Sequence, residues 1–469
     1  MAIPSIRCGL LAAAVLVATL TGDPGNAGKR SAAKSEAQTQ ARALPAADYP
    51  SSIRRPRGIY AVVVVNETRG ADKVDFDALV SNAAVSGLAI RTFWSSLQPA
   101  KDRYDFSQLD AAFASAEAKH KTIQLIVVPG FGTPAWVLTE IPSCDDMTTA
   151  PAATSERGGR PHGGRAKPAG GTDEGAAKTG AASCGKASFT VSEGKAHGEK
   201  QELPLPWNPV YKRYWKAFLT EVAARYGKRD ALVSIAVAGP TAESVEIILP
   251  RSGDQLERWG ELLQLFYRDP SYQQSDKAFV DEWDAAVTVY GELFRNVTIV
   301  LTRGSGLLAF SRGQARSAQA AIVSSFAAHA VGTNAKATQT SGMKACRETE
   351  GGIKGVKELA MSASYAPPVL GGAQFDTSFS QKPATEGCKA SCDAEAPTCR
   401  KVTPAQALNN VLSQYFDGTP AGDRYGASKG AVRMNYLQIY EKDIRFAGTQ
   451  PEVQAALEQA SRQLLMQAR

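Results

Sequence analysis

Residues 88–130 read LAIRTFWSSLQPAKDRYDFSQLDAAFASAEAKHKTIQLIVVPG. The opening LAIRTFW and the closing KTIQLIVVPG are apolar, β-branched runs of the kind that strands buried on both faces of a parallel sheet need. Between them Phe106, Leu109, Phe113 and Ala116 recur at spacings of three and four, behind Asp105 or Ser107 as N-cap, which predicts an amphipathic helix. Strand, helix and strand in this order make one crossover unit of a parallel sheet.

The same alternation extends in both directions. Upstream, GIYAVVVV at 58–65 reads as a first strand, and a helix follows over 72–84 with Val74, Phe76, Leu79, Val80 and Ala83 near one face. Downstream, Asn208 caps a helix that opens on Pro209, turns Tyr211, Trp215, Phe218, Val222 and Tyr226 inward and stops at Gly227. ALVSIAVAG is then strand four. Helices at 254–267 and 275–294 precede VTIVLTRG as strand five. A helix near 312–329, a weak strand at 331–338 and a helix near 352–364 make the sixth pair, the least regular of the series. VLGGAQF is strand seven, Thr403 and Pro404 open its helix, MNYLQIY is strand eight, and 451–467 is the closing helix. Eight strand–helix pairs in strict order predict an α/β chain folded as a (β/α)8 TIM barrel.

Three stretches fall outside this rhythm. Residues 1–28 carry Arg7, an apolar run from Leu10 to Leu20 and then small residues, the layout of a signal peptide with a run too short to span a bilayer. They point to a secreted or periplasmic protein with no integral membrane segment after their removal. Residues 29–55 have no helical or strand period and read as a disordered linker, which leaves 56–469 for the barrel. Residues 145–203 are rich in Gly, Ala, Ser, Thr and Lys and nearly empty of large apolar groups; they are expected to be a long, low-complexity, largely disordered insertion after strand three. Cys144 and Cys184 bracket much of it. With Cys346, Cys388, Cys392 and Cys399 they make six cysteines downstream of the signal, an even number suited to disulfides in an oxidising compartment. The last four permit three pairings.

The net charge of +7 lies partly in the leader, the linker and the insertion, not along one helix face, so nucleic acid is not an expected partner. No metal-ligand spacing occurs among the four histidines, and no GxGxxG or phosphate loop is present, so neither metal nor nucleotide cofactor is expected. The oligomeric state stays open.

In a barrel the residues just past each strand's C-terminal end build the site. Here those are Asn66 and Glu67, Arg91 and Trp94, Pro134 and Trp136, Glu243 and Glu246, Arg303, Asn334, Gln374 and Asp376, and finally Gln438, Glu441 and Asp443. Indoles stack on the C–H faces of pyranose rings, while amides, carboxylates and arginine take the hydroxyls, so the mixture suits a carbohydrate. Against this, Arg91 could neutralise buried carboxylates, Glu246 could be a surface loop residue, and Glu441 sits beside Lys442 and Asp443 in what reads as a solvated charged cluster. Trp207, Trp215, Trp259 and Trp283 lie at apolar helical spacing and read as packing residues.

RTFWSSLQPAKDRYDFSQLD followed by IQLIVVPGFGTPAW resembles the second and third strands of the retaining (β/α)8 glycoside hydrolases, especially the β-galactosidase-like branch. The resemblance implies hydrolysis of a β-linked glycan with an acid/base glutamate after strand four. In GPTAESVEIILP that is Glu246 as first choice and Glu243 as second. It further implies that Arg91 orients the nucleophile and that Trp94 and Trp136 line the sugar site; Asn334, Gln374 and Gln438, from their places past strands six, seven and eight, are expected as further substrate contacts. The family's strand-seven nucleophile has no match, because GGAQFDTSF offers Gln374, and an amide cannot form the glycosyl ester. Asp376 or Glu441 could supply the second carboxylate, or a water could attack with inversion. Failing these, the barrel would bind glycans without cleaving them.

Overall fold

The computed structural model describes residues 54–65, 74–145, 184–192, 196–306, 341–344, 354–359, 371–375, 384–386, 400–403, 405, 408 and 434–467. The strands are β1 (Gly58–Val65), β2 (Val85–Phe93), β3 (Thr122–Val128), β4 (Lys186–Thr190), β5 (Lys200–Pro204), β6 (Leu232–Ala236), β7 (Glu246–Ile248), β8 (Thr298–Val300), β9 (Thr302–Gly306), β10 (Ser341–Lys344), β11 (Lys354–Leu359), β12 (Gly371–Phe375), β13 (Ala384–Glu386), β14 (Arg400–Val402) and β15 (Met434–Tyr440). The helices, in chain order, are α1 (Phe76–Ser81), α2 (Trp94–Leu97), α3 (Ser107–Ala118), α4 (Ala135–Thr139), α5 (Pro209–Tyr226), α6 (Gln255–Phe266), α7 (Lys277–Leu293), α8 (Glu441–Thr449) and α9 (Pro451–Gln467).

One sheet organises them, in the order β10-β11-β12-β15-β1-β2-β3-β6-β8. The seven strands from β12 to β8 are mutually parallel and stand in the cyclic order 7-8-1-2-3-4-5 of a (β/α)8 barrel. The fold is α/β, a curled parallel sheet with helices on its outer face. Curling separates the side chains of each strand into two cores. Along β1, Ile59, Ala61, Val63 and Val65 enter the large core under the helices, while Tyr60 and Val62 join Ala89, Val233, Val300 and Tyr436 in a small inner cluster. A two-residue side-chain period buried on both sides requires an apolar run without alternation, which is why GIYAVVVV reads as it does.

The predicted helices around the first five strands appear within a few residues of their expected bounds. Asn208 Oδ1 accepts the Tyr211 amide at 2.9 Å with Pro209 in the first turn, and the five inward residues of α5 are all buried. Asp105 Oδ1 accepts the Ser107 amide at 3.0 Å ahead of α3. Trp207, Trp215, Trp259 and Trp283 are buried packing residues of the outer core. Beyond β12, Ala405 and Leu408 are helical and buried after Thr403, as expected of helix seven.

Two expectations are corrected. A helix was expected near 352–364, but Lys354–Leu359 is the strand β11, antiparallel to β12 with Val356 opposite Phe375 and Leu359 opposite Gly372. An exposed edge on β12 would leave a row of backbone groups unpaired, and β11 and β10 cover it. The segments 312–329 and 331–338 lie outside the described residues. The second correction concerns only the end of the 145–203 stretch, whose residues 146–183 lie outside the described residues: Lys186–Thr190 and Lys200–Pro204 pair as the antiparallel strands β4 and β5, and Ala187, Phe189 and Leu203 are fully or almost fully buried. The alternation in KASFT is a half-buried strand that a low average hydrophobicity conceals. A Cys144–Cys184 disulfide closes the base of this hairpin. Cys346, Cys388, Cys392 and Cys399, the leader and the linker lie outside the described residues.

Candidate functional site at the barrel mouth

The interior of the sheet is filled in layers. Lowest, the Tyr60 hydroxyl lies 2.7 Å from Thr122 Oγ1, and its ring meets Tyr436 edge-on at 6.1 Å. Gly87 makes room for that ring, since a Cβ there would stand 2.7 Å from Tyr60 Cε1. Burial pushes the Tyr60 phenol up to about 12, so it stays a protonated plug. One layer higher Gln438 Nε2 donates to Gln124 Oε1 at 2.6 Å. These residues belong to β15 and β3, which β1 and β2 separate in the sheet, so the bond spans the lumen.

Above that layer, at the C-terminal ends of the strands, is a cavity of about 30 Å³ lined by Arg91, Gln124, Ser234, Ser244, Glu246, Thr302 and Gln438, with Val62, Ile126 and Val300 among its apolar walls. Its volume holds a water and not a pyranose. Three residues singled out by the sequence, Arg91, Glu246 and Gln438, therefore meet here. Glu246 is 6% exposed and opens β7, which pairs in parallel with β9 so that Glu246 stands opposite Thr302. The loop before it is tied down at several points. Thr241 Oγ1 donates to the carbonyls of Ser244 and Glu246 at 2.6 and 2.7 Å, and the Glu246 amide donates to Ser244 Oγ at 3.0 Å. The strand-three exit also docks on this loop: Gly130 has φ +68°, a Cβ there would lie 2.3 Å from the Ala242 carbonyl, and the Phe131 amide donates to that carbonyl at 2.9 Å.

Several expected site residues go elsewhere. Trp94 is 0% exposed and packs in the outer core against Trp215, Phe218 and Tyr211 at 5.0, 5.6 and 6.1 Å, its Nε1 donating to Gln98 Oε1 at 2.9 Å. Trp136, on α4, donates to the Gln98 carbonyl at 3.1 Å and meets Tyr214 edge-on at 5.0 Å. Neither indole lines the cavity, so the ring-lined crater expected from the sequence is replaced by a polar one. The reason is that the chain turns into α2 directly at Trp94, which swings the indole under α5. Glu243 also turns away: its Oε1 accepts the Ser192 amide at 2.5 Å and the Ser192 hydroxyl at 2.8 Å. Its backbone carbonyl accepts Arg91 Nη2 at 2.9 Å. Glu441 lies 3.8 Å from Arg445 on its own helix. Asp443, read as part of a solvated cluster, is 0% exposed, because α8 folds back on the barrel beside β15. Gln374 stands in register with Gln438. Asp376 and Asn334 lie outside the described residues.

Glu246 is thus the one carboxylate among the described residues lining this cavity. A group so placed can give or take a proton through a water in the cavity, beside the fixed positive charge of Arg91. Cleavage with retention needs a second carboxyl group about 5–5.5 Å away and inversion one about 6.5–9.5 Å away. No group of three or more His, Cys, Asp or Glu side chains among the described residues is gathered to hold a metal. The hairpin that receives Glu243 is the feature sequence reasoning missed; its signal was the alternation of KASFT inside a low-complexity stretch.

Residues 73–168, about a fifth of the chain, match the family model of glycoside hydrolase family 42, described as beta-galactosidase. The match relates this segment to the glycoside hydrolases. It covers β2, the capped helix α3 and β3, the segment on which the sequence resemblance stood. No curated protein matches. Among solved structures, the beta-galactosidase of the psychrophilic Marinomonas ef1 is 12% identical, with TM-score 0.33 over 61% of this chain and 40% of its own. The glycosylated endo-beta-1,4-xylanase of Gloeophyllum trabeum is 9% identical, with TM-score 0.38 over 89% of this chain and 99% of its own. The beta-galactosidase of the haloarchaeon Halorubrum lacusprofundi is 10% identical, with TM-score 0.39 over 87% of this chain and 58% of its own. The chain thus spans two fifths of the length of the Marinomonas enzyme. At these scores the fold assignment rests on the strand order itself.

Proposed function

We propose that this is an exported, glycoside-hydrolase-like protein that acts on a β-linked glycan, with Glu246 as its acid/base. The observation that carries the reading is the burial of Glu246 at the C-terminal mouth of the curled sheet, in one cavity with Arg91 and Gln438. A carboxyl group buried beside a water-sized cavity is placed to exchange a proton with what enters that cavity. Asp376, the residue after β12, is the candidate second carboxylate, and Asn334 and Gln374 are candidate sugar contacts. Export rests on the leader composition of residues 1–28; no described helix is long and apolar enough to cross a membrane.

The test is release of reducing sugar from a panel of β-linked polysaccharides by the full chain and by Glu246→Gln. Turnover lost in the variant supports the reading; no turnover on any glycan, or unchanged turnover in the variant, overturns it. A second reading, a barrel that binds glycans without cleaving them, is favoured by Gln374 standing in register with Gln438 where the related hydrolases carry a carboxylate. Retention on immobilised glycan without product separates the two.

A further inference from the structure

We propose that Glu243 is a positioning residue: through Ser192 it fastens the strand-four exit loop to the disulfide-stapled hairpin, and so fixes where Glu246 stands. The hairpin is itself anchored along its length. At its base are the Cys144–Cys184 disulfide and Lys186 Nζ, which donates to the Leu138 carbonyl at 2.9 Å. On its flank the Asp145 carboxylate accepts the Ser188 amide at 3.1 Å and the Ser188 hydroxyl at 2.6 Å, and Arg258 of α6 donates both to Asp145 and to the Cys144 carbonyl. Gln255, also of α6, accepts the Thr190 amide at 2.8 Å.

What this anchored strand presents at its far end is the Ser192 amide and hydroxyl, both donated to one oxygen of Glu243. The same residue turns its backbone carbonyl to Arg91, which shares a cavity with Glu246. Glu243 is therefore the node at which a rigid element outside the barrel meets the loop inside its mouth. Both bonds to Ser192 need only an acceptor oxygen. A glutamine keeps one; an alanine does not. That difference separates a positioning role from the catalytic one, which requires an ionisable carboxyl group and is lost with either substitution.

The link to catalysis rests on the glycosidase reading, while the fastening itself does not, and the experiment keeps them apart. Hydrogen–deuterium exchange is followed in the full chain at the amides of Phe131, Ala242 and Glu246, alongside glycan turnover. Glu243→Ala is expected to speed exchange at these amides roughly tenfold, the scale of two lost hydrogen bonds, and Glu243→Gln to stay within about twofold of the parent. Ser192→Ala, which removes the hydroxyl and keeps the amide, is expected to give a smaller rise of roughly threefold. On a cleaved glycan, Glu243→Ala lowers kcat and Glu243→Gln restores it. Unchanged exchange in Glu243→Ala, or glutamine behaving as alanine does, overturns the fastening. The exchange pattern appearing in a protein that cleaves no glycan supports the fastening and counts against the glycosidase reading alone.

Discussion

Trp94 is the residue on which the sequence and the structure differ most usefully, and its substitution gives a measurable contrast. An indole buries about 150–250 Å² of surface. At about 25 cal/mol per Å², with the reduction appropriate to a compact unfolded chain, this corresponds to roughly 3–5 kcal/mol for Trp94→Ala. That matches the usual cost of truncating a core aromatic to alanine, also about 3–5 kcal/mol. Trp94→Phe keeps a ring against Trp215 and Phe218 but takes the indole N–H from Gln98 Oε1, whose residue is only 4% exposed. An orphaned buried acceptor costs about 1–3 kcal/mol, so a loss of roughly 2–3 kcal/mol is expected once the smaller ring is included. Urea unfolding followed by circular dichroism reads this as a lower midpoint at constant slope. Glycan retention by the fraction still folded stays at the parental level. A Trp94→Phe protein with unchanged midpoint and lost retention would refute the placement of this indole in the core.

Other outcomes follow from the same contacts. Gln438→Leu strips the donor from Gln124 and is expected to cost about 1–3 kcal/mol, most of which the double variant with Gln124→Leu recovers; purely additive losses in urea would contradict a coupled pair. Gly130→Ala combines a φ of +68° with a 2.3 Å contact to the Ala242 carbonyl, so it should destabilise by about 2 kcal/mol or more and shift the backbone amide signals of Phe131 and Ala242. The Glu117 carboxyl is held below its ordinary range by Arg229, while at Asp110 burial pushes upward and is outweighed by the bonds from Arg225 and Tyr226, so it too lies low. Groups lowered on folding stabilise the folded state above their unfolded values of about 4, and that contribution fades as pH falls through about 4 and below. Asp110→Asn should therefore flatten the acid limb of a stability-versus-pH curve and leave its shape above pH about 6 unchanged.

The strand and helix series was legible because each part is written locally. A run such as GIYAVVVV must be buried on both faces, and Asn208–Pro209 or Asp105 can only open a helix. Strict alternation then leaves few ways to arrange a parallel sheet, and the order of β12, β15, β1, β2, β3, β6 and β8 is the barrel one among them. Where the local signal thins, at 354–359 and 186–204, propensity yields to pairing: an open edge on β12 and a disulfide base decide for strands what composition does not.

The sequence by itself determined that the chain alternates strand and helix and that an acidic loop follows the fourth strand. Only the tertiary structure decided which of those acids faces the lumen. Glu243 and Glu246 are three residues apart in an irregular segment that has no period to assign their faces. The assignment comes from partners far away in the chain, Gly130 packing on Ala242, Thr302 beside Glu246 and Ser192 capturing Glu243. The same holds for Trp94, whose position at a strand end says that it leaves the sheet but not that α5 waits to bury it.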